Sequence, residues 1–143
     1  MKHITTHKTG NMSTRATIRF ATREDGVTFS EHPKKWNAQF YKHHDGYPEG
    51  LGVDLANCII RHGSWNGVAM EIEHVDVVHS DIEYMYYIWQ DHGKEIWMSI
   101  FEVNGFGYCE TCGQDVSTND ECIFVGKPGK LIEKYKLNTN DDG

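Results

Sequence analysis

The chain has 143 residues, four cysteines and a formal net charge of −7, with 38% hydrophobic and 12% aromatic residues. That length and composition suit one globular domain with a real core, and they exclude a disordered chain. The negative charge argues against a binder of long nucleic acid held by phosphate neutralisation, and suits a basic protein partner or mimicry of a nucleic acid. No apolar run approaches a membrane span, and residues 1–8 lack the apolar core of a signal peptide.

Residues 1–12 are polar and aperiodic and read as a flexible arm. Ala16, Ile18 and Phe20 alternate with Thr17 and Arg19, the every-second-residue pattern of a strand. Asp25-Gly26 marks a hairpin turn, after which residues 27–30 return as a short strand. A loop at 31–35 leads to a further strand over 37–44.

The corner from Tyr41 to Gly50 follows, with Asp45-Gly46 and Pro48 as its turn chemistry. Leu51, Leu55, Cys58, Ile59 and His62 then fall on one helical face, and Gly63 stops that helix behind Arg61 and His62. Residues 65–78 are read as a second helix, although Glu71 and Glu73 alternate as a strand would.

The clearest hairpin runs through Ile82, Tyr84, Tyr86 and Ile88, turns at 90–93, and returns through Ile96, Met98 and Ile100. Aromatics on both of its faces place it centrally in a covered sheet, or leave one face open for binding. A last pair of strands is expected at 122–125 and 131–137 around Gly126-Lys127-Pro128-Gly129, with a disordered tail at 138–143. The expected fold is a single α+β domain over 13–137: an antiparallel sheet of about five to seven strands with one or two helices on one face.

Two clusters carry candidate chemistry. In the corner, His43, Asp45, Tyr47 and Glu49, with Arg15 and Arg19 from the first strand, could form an acid/base pair, half a metal site or an anion-binding site. Geometry accounts for part of it without chemistry, since Asp45, Gly46 and Pro48 make a turn and Glu49 suits a helix start. No nucleotide-binding fingerprint, zinc-protease pattern or nucleophile elbow occurs. The second cluster is Cys109-x-x-Cys112-Gly113 with Cys122, a spacing that fits a structural zinc knuckle added over 109–137. Its fourth ligand would be Cys58, His92 or water, and reduced, buried thiols explain the cysteines equally well.

The opening Ser13-Thr14-Arg15-Ala16-Thr17-Ile18, the corner Tyr41-x-His43-x-Asp45-Gly46-Tyr47-Pro48-Glu49 and the strand Glu83-Tyr84-x-Tyr86 together resemble a family of small proteins of tailed bacteriophages and prophages. The resemblance spans about residues 13 to 103. It implies a phage-encoded accessory protein acting in the host cytoplasm, and it carries no catalytic assignment. Small size, acidity and the lack of a complete catalytic motif favour a non-enzymatic inhibitor of a bacterial host or defence protein, serving host takeover. The alternative is a protein that binds or hydrolyses a small nucleotide signal at the corner.

Overall fold

Ala16 and Ile18 turn to one face of strand β1 (Ala16–Thr22) while Thr17 and Arg19 turn to the other, and the strand is lined with neighbours on both sides. The computed structural model describes residues 14–22, 32–33, 35–64, 67–79, 81–91, 93–103, 106–109, 114–117 and 120–140. In it β1 pairs antiparallel with β2 (Lys35–Lys42) and parallel with β4 (Tyr84–Gln90). Strand β3 (Glu71–Glu73) lies outside β2, β5 (Ile96–Val103) pairs antiparallel with β4, and β8 (Asp120–Gly126) forms the far edge. The order of the six-stranded sheet is β3-β2-β1-β4-β5-β8, and β6 (Phe106–Cys109) pairs with β7 (Gln114–Ser117) in a separate ladder.

The chain is thus a single α+β domain whose sheet is mixed rather than wholly antiparallel. The parallel pair arises because β2 and β3 build outward from β1, and the chain then crosses back to its other side. The π-helical turn at Pro48–Gly52, running into helix α1 (Val53–His62), lies between β2 and β3, and the crossover is the segment between β3 and β4. Leu55, Ala56, Cys58 and Ile59 bury the inner face of α1. Gly63, at a left-handed φ of 68°, caps it by donating to the Ile59 carbonyl, with Arg61 and His62 in the last turn. The hairpin expected at 23–30 lies outside the described residues.

Two expectations are overturned. Residues 131–137 form no strand but part of helix α2 (Pro128–Asn140), which packs beside α1. Leu131 and Tyr135, four apart, are both buried, whereas Glu133 between them is exposed. Nor do residues 65–78 form a helix, since their described part holds the short strand β3 and the loop after it. Side chains of β2 hold this stretch: Trp36 Nε1 donates to the Val75 carbonyl at 3.0 Å, and Gln39 Nε2 to the Val77 carbonyl at 2.8 Å. Such bonds from a distant strand override local helical preference.

The helices cover one face, where Ile18, Leu51, Leu55, Tyr86, Met98, Ile100 and Leu131 are all but inaccessible. Tyr41, Met85, Tyr87, Trp89 and Phe101 are buried on the opposite face. Strand β4 is therefore buried on both sides from Tyr84 to Trp89, the central position that its aromatic pattern implies.

The turn after β4 is organised by one carboxylate. Asp91 accepts from Trp97 Nε1 at 2.8 Å and from the Glu95 amide at 2.9 Å, and Lys94 takes a left-handed φ of 68°. The Trp97 bond, then the backbone donors, hold the Asp91 carboxyl below its ordinary value of 3.8. A depressed value means stabilisation that is complete above 3.8 and lost as the pH falls through the folded value. Asp91→Ala should thus be less stable than wild type at neutral pH, with the gap closing towards about pH 2. Urea midpoints of both proteins across that range measure it; a gap independent of pH would contradict the assignment.

Candidate functional site

The corner is fixed first by backbone. Asp45 adopts a left-handed φ of 59°, which a short polar side chain tolerates better than most. Gly46 donates to the Thr14 carbonyl at 3.0 Å, so close to β1 that an added Cβ would stand 2.9 Å from the Ala16 Cβ. The Leu51 amide donates to the carbonyls of Asp45 and Tyr47. From the core, the buried Tyr86 hydroxyl donates to the Gly46 carbonyl at 2.7 Å. Tyr86→Phe leaves that buried carbonyl without its donor and should cost about 1–3 kcal/mol, read as a lower urea midpoint.

From this junction the six candidate residues diverge. His43 points to the face away from the helices, where its Nε2 meets Glu71 Oε1 at 3.0 Å and its ring stands edge-on to Tyr41 at 4.5 Å. Arg15 lies at the same end, its Nε 3.3 Å from Asp81 Oδ2. The Tyr41 hydroxyl donates to that same Asp81, 3.3 Å from each oxygen, and burial followed by the Asp81 charge pushes the phenol to about 12. Tyr47 turns to the helix side, where burial first, then the Asp45 charge and a hydrogen bond to that carboxylate, raise its phenol. Glu49 sits in the first turn of the π-helical segment, and its Oε1 is buried without a hydrogen-bond partner. The structure therefore brings His43 and Arg15 together around Tyr41 and Asp81, and Asp45 together with Tyr47.

Arg19 lies in a separate network that runs across the sheet. Its Nε donates to Gln39 Oε1 and its Nη1 to the Tyr87 hydroxyl, both at 2.9 Å, while its guanidinium carbon stands 3.9 Å from the Trp36 ring centroid. Gln39, fully buried, spends both amide hydrogens, on Glu73 Oε2 at 2.7 Å and on the Val77 carbonyl. Glu73 also accepts from His79 Nε2, whose ring stacks on Tyr41 at 3.9 Å.

At the other end the Tyr87 hydroxyl accepts from Arg19 Nη1 and lies 2.8 Å from His32 Nδ1, while His32 Nε2 meets Asp120 Oδ2 at 2.8 Å. Sequence reasoning missed Gln39, Glu73, His79, Tyr87, His32 and Asp120. Parity along β1 and β2 could have placed Gln39 beside Arg19; nothing local could have added Glu73 or Tyr87. The network joins carboxylates, imidazoles and the guanidinium to one another, which suits a rigid, wired face more than a site of proton transfer.

One row of the opposite face has a different character. Cross-strand registers align Phe124, Ile100, Tyr86, Ile18, Phe40 and Ile72 in a single line through all six strands. The row starts in the core and ends in water, with Ile18, Tyr86 and Ile100 at 0% exposure and Ile72 at 74%. The helices cover its middle and stop short of β3. The two edges of the sheet differ as well. At β8 the register shift makes Ile123 a bulge, and Lys134 Nζ from α2 donates to the Ile123 carbonyl at 2.7 Å.

Cys109 lies in β6, Cys112 is outside the described residues, and Cys122 is half-buried in β8. Burial raises the Cys122 thiol, which approaches the Phe124 carbonyl at 3.6 Å. Cys58, buried on α1, accepts from the Gly67 amide at 3.3 Å. Among the described residues no group of three or more His, Cys, Asp or Glu side chains is placed to hold a metal, and no helix is long and apolar enough to cross a membrane. Compared with known proteins, the chain matches no family model, no curated protein and no solved structure.

Proposed function

We propose that the chain is a small, non-enzymatic, phage-encoded accessory protein that binds and inhibits a bacterial protein inside the infected cell. The observation that carries this reading is the apolar row that runs out of the core onto the β3 edge at Ile72. An isoleucine at 74% exposure, continuous with the core and beyond the helices, is surface that gains by being covered. The acidic balance of −7 suits a basic partner. In a pull-down from bacterial lysate, wild type should retain one host protein at stoichiometric yield, lose it as Ile72→Asp, and depress that protein's own activity. Absence of stoichiometric capture counts against the reading.

A second reading, binding or hydrolysis of a small nucleotide at the corner, draws support from the buried, unpartnered Glu49 Oε1 and the exposed His43. Calorimetry against mono-, di- and cyclic nucleotides should then detect binding that His43→Ala or Asp45→Ala removes. Structural zinc on Cys109, Cys112 and Cys122 is a separate proposal, decided by elemental analysis of untagged protein: sub-stoichiometric metal rejects it.

A further inference from the structure

The β3 edge holds more than an exposed isoleucine. Among the described residues β3 is the end of the sheet, with β2 on one side and no strand on the other. An end strand presents backbone donors and acceptors to whatever lies beside it, and an extended segment about 4.8 Å away would satisfy them. Three residues, Glu71-Ile72-Glu73, offer few such groups, so recognition there must rest on side chains.

Those side chains have a definite pattern. Ile72 continues the apolar row on the helix side, while Glu71 and Glu73 face the other way. Glu73 is 16% exposed and is spent on Gln39 and His79. Glu71 is 69% exposed, and its contact with His43 is a surface pair. Such pairs are worth about 0–1 kcal/mol, little enough for an incoming cation to displace or share. Asp76, exposed, adds a carboxylate along the same stretch, whereas Asp81 is balanced by Arg15.

We infer that the partner engages this edge by strand addition, through an extended segment that sets an apolar side chain beside Ile72 and a lysine or arginine opposite Glu71. The inference rests on the inhibitor reading for the partner's nature, and on β3 alone for its chemistry. It also argues against a second copy as occupant. Antiparallel pairing of two β3 strands centred on Ile72 sets each Glu71 opposite the other copy's Glu73, and like charges directly opposite destabilise a ladder.

The test uses the full chain labelled with 15N and two short blocked peptides, one alternating lysine with valine, the other glutamate with valine. The lysine peptide should produce saturable, salt-sensitive amide shifts centred on residues 71–73 and on Phe40 and Tyr41, and the glutamate peptide none. Ile72→Asp should abolish the response with its other amide signals unmoved, which confirms that it is folded. Glu71→Lys should reverse the preference between the two peptides. No saturable shift at β3, an equal response to both peptides, or an unchanged preference in Glu71→Lys overturns the inference, as does a dimer of the free chain joined at β3. The two proposals fail separately. A captured bacterial protein that is lost with Ile72→Asp but binds Glu71→Lys as well as wild type, with neither peptide shifting β3, removes strand addition and keeps the inhibitor. A peptide response as expected, without any captured protein, keeps the edge site and removes the inhibitor.

Discussion

Leu131→Ala should lower the free energy of unfolding by about 2–5 kcal/mol, the range for truncating a large aliphatic side chain in a packed core. Leu131 is inaccessible to solvent, and it joins three parts of the fold. A Cβ built on Gly52 would meet Leu131 Cδ2 and Tyr86 Cε2 at 3.4 Å and Ile100 Cδ1 at 3.6 Å. Leucine, tyrosine and isoleucine thus converge over the glycine where the π-helical turn becomes α1. Removing the leucine opens a void between α2, that turn and the middle of the sheet, and little nearby is mobile enough to fill it. Urea unfolding should show a lower midpoint at an unchanged slope. Glu133→Ala, two residues on and exposed, should stay within about 0.5 kcal/mol of wild type. A strand would put residues 131 and 133 on one face, so the contrast also tests that this segment is a helix.

Gln39→Leu should cost about 2–4 kcal/mol although leucine nearly matches the volume it replaces. The buried amide makes three hydrogen bonds, to Arg19, Glu73 and Val77. Leucine makes none, so Arg19 Nε loses its acceptor while Glu73 and the Val77 carbonyl each lose a donor. Glu73 keeps His79, and Val77 is only half-buried, which holds the loss below the sum of three orphaned groups. Gln39→Glu should be worse, because it sets a second carboxylate against Glu73. Denaturant midpoints rank the variants, and hydrogen exchange at 74–79 should rise in both, since this glutamine ties that loop to the sheet.

Alternation identified β1 and the β4–β5 hairpin, and a 3.6-residue stripe ended by Gly63 identified α1, because periodicity and capping are written in neighbouring residues. Leu131, Tyr135 and Leu137 fit the alternation of the expected strand, whereas Leu131, Ile132 and Tyr135 fit one helical face, and packing against α1 selects the helix. The three-residue β3 is defined by pairing with β2, thirty-odd positions earlier, and no window across 65–78 contains that partner. The parallel register of β1 with β4 is equally non-local.

The corner was legible as a junction, with Asp45, Gly46 and Pro48 explained by backbone geometry. Its division was not. Parity along β2 sends His43 to the face of Tyr41, while the turn at Asp45 and Gly46 carries Tyr47 and Glu49 round to the helix side. Arg19 was a good choice of residue with the wrong company, since its partners lie 20 and 68 positions away.

The bulge at Ile123 and the lysine that closes it have a further consequence for stoichiometry. A sheet open at both ends can add strands without limit and grow into a fibre; one that resists addition at one end stops after a single addition. With the Ile123 bulge and the Lys134 bond opposing strand addition at β8, a partner joining at β3 as proposed would form a complex of one copy of each chain. Titration at high concentration would then end at a fixed mass, and the strand that ends the sheet would also set the size of the assembly.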